Sequence, residues 1–180
     1  MPNKPQFVDV RLDPKTTAFL VLDLNARCED PKERCHQLIE PVAGFLDRAR
    51  EAKIFIVYTA ADRYRGTPLA RMPHAFKQRA DEPVLFPGAF DKFYGGDLQP
   101  LLHERGIETL IIAGASSNQA VLYTATAAVR PFGYDVIIPE DGLIARSSYE
   151  HEFTLHQFTI LPAGAAEKFK ITRFSRLSFA

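Results

Sequence analysis

No apolar run in this chain approaches the length that spans a bilayer, so no membrane partner is expected. Charge of either sign is not in excess, because 22 basic residues face 22 acidic ones. A balanced chain offers no global field to draw in nucleic acid or an anionic membrane surface. Cysteine is scarce: Cys28 and Cys35 are the two in the chain, close together in one segment. That spacing argues against a disulfide framework, and the expectation is a pair of free thiols in a reducing cytosol. The opening residues, MPNKPQFVDVRLDP, lack the hydrophobic core of a signal peptide. No repeat, low-complexity tract or linker interrupts the 180 residues, so one domain over 1–180 is expected.

What the chain does have is alternation. Residues 1–16 carry three prolines and little periodicity, which predicts a strap across the surface. Residues 17–24, TAFLVLDL, read as a buried strand with Asp23 at its end. Asp30 and Pro31 are placed as the N-cap and first-turn proline of a helix, with Glu33 at its third position. Its core face is read as Cys35, Leu38, Ile39, Val42, Phe45, Leu46 and Ala49, and Pro41 is expected to kink it. Residues 53–61, KIFIVYTAA, form a second strand pattern.

Residues 62–96 differ, with Pro68, Pro73, Pro83 and Pro87 and weak periodicity; so long a connection predicts a lid or binding loop. Asp97 then caps a short helix stopped by Gly106. Residues 134–139, YDVIIP, read as a strand, and Ser147 with Glu150 as a capping box for a helix with Tyr149, Phe153 and His156 on one side. Residues 169–174, FKITRF, read as the last strand.

The most informative stretch is ETLIIAGASSNQAVLYTA, residues 108–125. Leu110 to Ala113 are apolar without a break, as in a strand buried on both faces. Gly114 is read as its end, followed by a small-residue turn and a helical pattern through Val121, Leu122 and Ala125. Strand, tight turn and helix aim backbone N–H groups at an anion or oxyanion. Alternating strands and helices predict a parallel sheet covered on both faces, with ligands beyond the carboxyl ends of its strands. Asp23, the loop around Lys92 and the Gly114–Asn118 turn all fall at that end.

TAFLVLDLN, VYTA, DKFYGGDLQPLLHERGIETLIIAG, SSNQAVLYTA and YDVIIPEDG, in this order, resemble the isochorismatase-like (cysteine hydrolase) superfamily over residues 17 to about 160. The resemblance implies a three-layer, Rossmann-like α/β/α sandwich with a mostly parallel central sheet, and a small-molecule substrate. It also implies a homodimer or larger homo-oligomer. Cysteine members use an aspartate as base, a lysine as electrostatic helper and a cysteine at a helix start. The corresponding residues here are Asp23, Lys92 and Ala120. The lysine departs from the pattern, since Lys92 directly precedes Phe93 and Phe86-Pro87-Gly88 occupies the usual lysine stretch. Asn25, Ala115, Ser116, Ser117, Asn118 and Gln119 are the implied substrate contacts. The Ala115–Ser116 bond matches the family's non-proline cis peptide.

A methyl group cannot attack a carbonyl, so Ala120 excludes an acyl-enzyme at that position. Three accounts stay open: hydrolysis without a covalent intermediate, as in isochorismatases proper; a silent member kept as a binding or structural oligomer; and a Cys-to-Ala exchange that traps a substrate. A silent member is expected to have its pocket filled by aromatic side chains such as Tyr94 or Tyr123. Cys28 is a weaker candidate as a replacement nucleophile. Arg63, Arg65 and Arg71 are candidates to meet an anionic substrate. Metal and cofactor are not expected, because the histidines show no ligand pairing.

Overall fold

The computed structural model describes residues 5–180; the first four, part of the expected strap, lie outside the described residues. In chain order the regular elements are β1 (Val10–Leu12), β2 (Thr17–Leu22), α1 (Ile39–Glu51), β3 (Phe55–Thr59), β4 (Val84–Leu85) and α2 (Leu98–His103). They continue as β5 (Thr109–Ala115), α3 (Leu122–Val129), β6 (Asp135–Pro139), β7 (Leu143–Ile144), α4 (Ser148–Ile160), β8 (Phe169–Thr172) and β9 (Leu177–Phe179). The main sheet runs β4-β3-β2-β5-β6-β8, with β7 added beside the end of β5. Its pairings are parallel.

Parallel strands are buried on both faces, and β2 follows this: all six of its residues are buried. Alternate side chains enter different cores. Ala18, Leu20 and Leu22 join the helix faces of α2, α3 and α4 through Leu102, Ala125 and Phe158. Phe19 and Val21 join α1 through Val42, Phe45 and Leu46. The result is the α/β/α sandwich that the strand and helix patterns predict. Burying each of these large side chains contributes about 1.5–3 kcal/mol relative to exposure.

The chain begins the sheet at β2, builds outward to β3 and β4, then crosses to β5 on the other side of β2. Strand order therefore reverses between β2 and β5, and the crevice at their carboxyl ends is where such sheets bind ligands. Gly114 makes this junction tight. A Cβ there would lie 2.1 Å from the Leu22 carbonyl oxygen, and its φ is +146°. It does not end the strand as expected: β5 continues to Ala115, where β7 pairs with it.

Several local expectations are corrected. Asp30 and Pro31 do not start a helix; the Asp30 carboxylate accepts the Lys32 N–H at 2.9 Å in a local turn. A 3₁₀ turn, Arg34–Leu38, precedes α1. Pro41 lies in the first turn of α1, where a missing N–H is tolerated, so no interior kink arises. Residues 10–12 are a strand and not merely a strap, for β1 pairs with β9 from the far end of the chain. Cys28 and Cys35 are joined as a disulfide, with Cα atoms 5.2 Å apart. The turn between them doubles the chain back, which separation along the sequence does not reveal, and the ground for expecting a reducing compartment falls with the free thiols. Tyr149 and Phe153 lie on the exposed side of α4, while Thr154, Leu155 and Phe158 face inward.

Candidate functional site

Asp23 directly follows β2 and adopts φ +57°, a left-handed conformation that aspartate tolerates better than most residues. The chain turns there, and the carboxylate is left at the crevice. Lys92 Nζ lies 2.7 Å from Asp23 Oδ2 and donates to the Ala89 carbonyl at 3.1 Å. The Thr59 hydroxyl, at the end of β3, donates to Asp23 Oδ1 at 3.1 Å. Each carboxylate oxygen thus has a fixed partner. The lysine side chain is 2% exposed and the aspartate 21%, so the pair is mostly withdrawn from water with its carboxylate open to the crevice.

Lys92 reaches this position because its neighbours hold the loop inward. Its N–H donates to the Thr124 hydroxyl on α3 at 3.1 Å, and that hydroxyl donates to the Phe90 carbonyl at 3.2 Å. Asp91 accepts the Phe93 N–H at 2.9 Å, turning Phe93 away to stack on Phe132 at 4.6 Å. Thr59 and Thr124 were not among the sequence candidates. The signal for Thr59 is its register beside Leu22, the residue before Asp23, and this needs the strand pairing to be known.

Asp23, Lys92 and Ala120 line one cavity of about 1060 Å³. Asn25, Ala115, Ser116 and Gln119 line it too, whereas Ser117 and Asn118 contribute no surface to it. Asn25 also acts locally, since its side-chain oxygen accepts the Arg27 N–H at 3.2 Å and caps the turn Ala26–Glu29. The peptide bond Ala115–Ser116 is cis. The helix after it opens with a wide turn, in which the Val121 N–H reaches the Ser116 carbonyl at 3.3 Å and the Gln119 N–H the same oxygen at 3.1 Å.

Tyr94 and Tyr123 do not fill the cavity; both are exposed, and Tyr123 stacks on Phe90 at 6.1 Å. Cys28 is fully buried in the disulfide and has no free thiol to offer. Among the described residues no cluster of three or more His, Cys, Asp or Glu side chains could hold a metal ion, and no helix is long and apolar enough to cross a membrane.

The 62–96 segment lines the cavity at both its ends, through Asp62, Arg63 and Tyr64 and through residues 87–90 and Lys92, as expected of a binding loop, while its middle is anchored as scaffold. Met72 and Phe76 are buried, and β4 extends the sheet edge. Glu82 accepts from Arg50 Nε at 2.7 Å and Nη2 at 2.9 Å, from the Tyr58 hydroxyl at 3.2 Å and from the Arg79 N–H at 3.0 Å. Burial pushes the Glu82 carboxyl up, but these donors and the Arg50 charge outweigh it and leave it below its ordinary value. Burial, then the neighbouring Glu82 charge, raises Tyr58.

Of the arginines expected to meet an anion, Arg71 instead pairs with Glu29 at 2.5 Å. That hydrogen bond, with another from the His74 backbone, holds Glu29 down to about 2. Arg65 pairs with Asp62 and donates to the Phe86 carbonyl. Only Arg63 of the three lines the cavity.

Comparison with known proteins gives this arrangement its kin. An isochorismatase family protein of Bacillus subtilis, YwoC, is 40% identical, with 81% of this chain and 87% of that one covered. The maleamate amidohydrolase of Pseudomonas putida is 28% identical over 65% of this chain, which spans 64% of that protein's length. A cysteine hydrolase from Pseudomonas syringae superposes with a TM-score of 0.79 at 19% identity, covering 97% of this chain and 95% of its own. The isochorismatase domain model matches residues 17–166, and by that span the chain belongs to the isochorismatase family.

Proposed function

We propose that this chain hydrolyses a small molecule without a cysteine nucleophile, with Asp23 as the acid/base. The observation that carries the reading is the Asp23–Lys92 pair at 2.7 Å on an open cavity that Ala120 also lines. Where the cysteine members have a thiol, this chain has a methyl group, which leaves room for water. The Asp23 carboxylate takes a proton from that water as its oxygen adds to the electrophilic carbon, and returns the proton to the leaving group. One water is consumed, its hydroxyl going to one product and its hydrogen to the other. Lys92 and Thr59 hold the carboxylate in one orientation, and the lysine charge lies beside the developing negative charge. The Gln119 and Val121 N–H groups are taken up by the Ser116 carbonyl, so neither is a backbone donor to the substrate.

The silent-member account expects a filled pocket, and a cavity of about 1060 Å³ favours an occupant. Maleamate, the compound for which one relative is named, belongs in a screen with isochorismate and other small amides. The deciding variant is Asp23→Asn. It keeps an oxygen for Lys92 but removes the base, and is expected to lower kcat by about 10²-fold or more. A melting temperature lower by a few degrees is expected as well, because a neutral amide then faces a buried ammonium. Unchanged turnover in a folded Asp23→Asn protein overturns the assignment.

A further inference from the structure

A second cavity, of about 460 Å³, opens at the other end of the sheet. Its walls come from the segments that lead into β2, β3, β4 and β5, so it lies at the amino ends of those strands, away from Asp23. Ile54, Ile56 and Ile107 are its buried lining. Charge around it is one-sided. Arg50 and Glu82 belong to the wall but are engaged with each other at 2.7 Å. What remains is Lys15, Lys53, Arg79 and Arg105, all exposed, against the carboxylate of Asp81, in a chain that is neutral as a whole.

Among the described residues the side chains of Lys15, Lys53 and Arg79 have no hydrogen-bond, ion-pair or ring partner, and Asp81 pairs with none of them. The nearby Asp13 carboxylate accepts the Lys15 backbone N–H at 2.9 Å, not its ammonium. Arg105 is fixed in place: its guanidinium carbon lies 4.1 Å from the Phe55 ring centroid, and Nη1 donates to the Leu101 carbonyl at 3.1 Å. Its remaining N–H groups are left to donate elsewhere.

Helix ends account for part of this charge. Lys53 and Arg105 each follow the last residue of a helix, α1 or α2, by two positions, where a cation is favourable. Lys15 and Arg79 follow no α-helix; one lies between β1 and β2, the other shortly before β4. Lys53 is unusual in a second way. The ends of α1 and α2 are built alike, with Ile54 donating five residues back to Ala49 at 2.8 Å and Ile107 to Leu102 at 3.1 Å. The residue before each isoleucine is left-handed. After α2 it is Gly106, at φ +64°, but after α1 it is Lys53, at φ +62°. Glycine is the usual residue there because it avoids the steric cost of a side chain. A lysine held at that cost, on the edge of a cavity short of negative charge, points to a ligand.

We propose that this cavity binds a phosphorylated small molecule, at a site separate from the crevice of Asp23, with the phosphate among Lys15, Lys53, Arg79 and Arg105. Cations arriving from four segments surround a group instead of flanking it. That suits the divergent oxygens of a phosphate better than a planar carboxylate, with lysine acting as a point charge and arginine as a fork. The surplus of positive charge matches a group that carries nearly two negative charges at neutral pH, and the volume is in the range that holds small ligands. The site stands apart from the hydrolytic reading, and neither depends on the other.

The test is a titration with inorganic phosphate, phenyl phosphate and malonate, followed through the backbone amide resonances so that each ligand is located as well as weighed. Wild type is compared with Lys53→Gly, Arg105→Gln and Lys170→Gln, the last removing an exposed lysine on β8 that lines neither cavity. Saturable shifts are expected at residues 15, 53–54, 79–82 and 105–107, with both phosphates tighter than malonate. Lys53→Gly and Arg105→Gln are each expected to weaken the phosphates about tenfold, as for one charge-assisted contact. Lys170→Gln should leave them unchanged. Lys53→Gly should not lower the melting temperature, since glycine suits its backbone, so lost binding there is not lost folding. Shifts confined to the crevice, or unchanged affinity in Lys53→Gly and Arg105→Gln, overturn the site. An equal loss in Lys170→Gln reduces it to diffuse attraction and overturns it too. Malonate binding as tightly as the phosphates overturns the assignment to phosphate.

Discussion

Glu82→Gln asks whether the segment leading to Lys92 is held as scaffold. Arg50 and Glu82 have side chains only 5% and 6% exposed, so their charges meet with little water to screen them. The substitution keeps an oxygen and the shape, but leaves the buried Arg50 guanidinium with only the longer contact to the exposed Asp47 carboxylate, at 3.5 Å. Breaking such a pair from one side costs about 3–5 kcal/mol; Gln still accepts one hydrogen bond, which places the expectation at about 3 kcal/mol. For a chain of this size each kcal/mol moves the melting temperature by about 2–4 °C, so a fall of about 6–12 °C is expected in thermal unfolding at neutral pH.

Acid supplies a second arm of that experiment. The folded Glu82 carboxyl lies below its ordinary value of 4.5, so the unfolded chain takes up this proton first as pH falls. The contribution of Glu82 is whole above about 4.5 and is lost as pH falls through the folded value, so the gap between wild type and variant should narrow below 4.5. Replacing both partners, Arg50→Met with Glu82→Leu, should recover part of the loss. The Tyr58 hydroxyl and Phe76 carbonyl forfeit Arg50 in that protein, so recovery is incomplete. A fall under 2 °C for Glu82→Gln would refute the argument that this buried pair clamps the segment.

Two further outcomes follow from the same geometry. Ala120→Cys places a thiol on the cavity beside Asp23 and Lys92, where iodoacetamide should alkylate it while wild type stays unlabelled in its native, unreduced form. Amide turnover in Ala120→Cys about 10²-fold above wild type would favour the exchanged-cysteine account and count against hydrolysis without a covalent intermediate. Gly114→Ala drives a Cβ to 2.1 Å from a backbone oxygen at φ +146°, and a loss above about 4 kcal/mol is expected. Gly44→Ala, in α1 with nothing within 4 Å, should instead be neutral or stabilising by about 1 kcal/mol in chemical denaturation.

Most of the fold was legible because burial on both faces leaves an unbroken apolar run. Residues 17–24 and 110–113 read as strands for that reason, and the strands observed are Thr17–Leu22 and Thr109–Ala115. The capping box also survived intact, Ser147 accepting the Glu150 N–H while Glu150 accepts the Ser147 N–H. Reading failed where one local signal has two structural uses. Asp-Pro suits a helix start and a tight turn equally, and here the disulfide and the Arg34–Leu38 turn take up the intervening chain. The 62–96 connection was long and aperiodic enough to suggest a lid or binding loop. Its anchor is a glutamate whose partners, Arg50 and Tyr58, belong to α1 and β3. No window of sequence contains that pairing.

The same division runs through the site. Asp23 could be read, because a carboxylate closing a buried strand needs a reason to be there. Lys92 was displaced from the family's usual stretch, and what brings it to Asp23 is a threonine on α3 holding its backbone. A hydroxyl at position 124 carries no such message by itself.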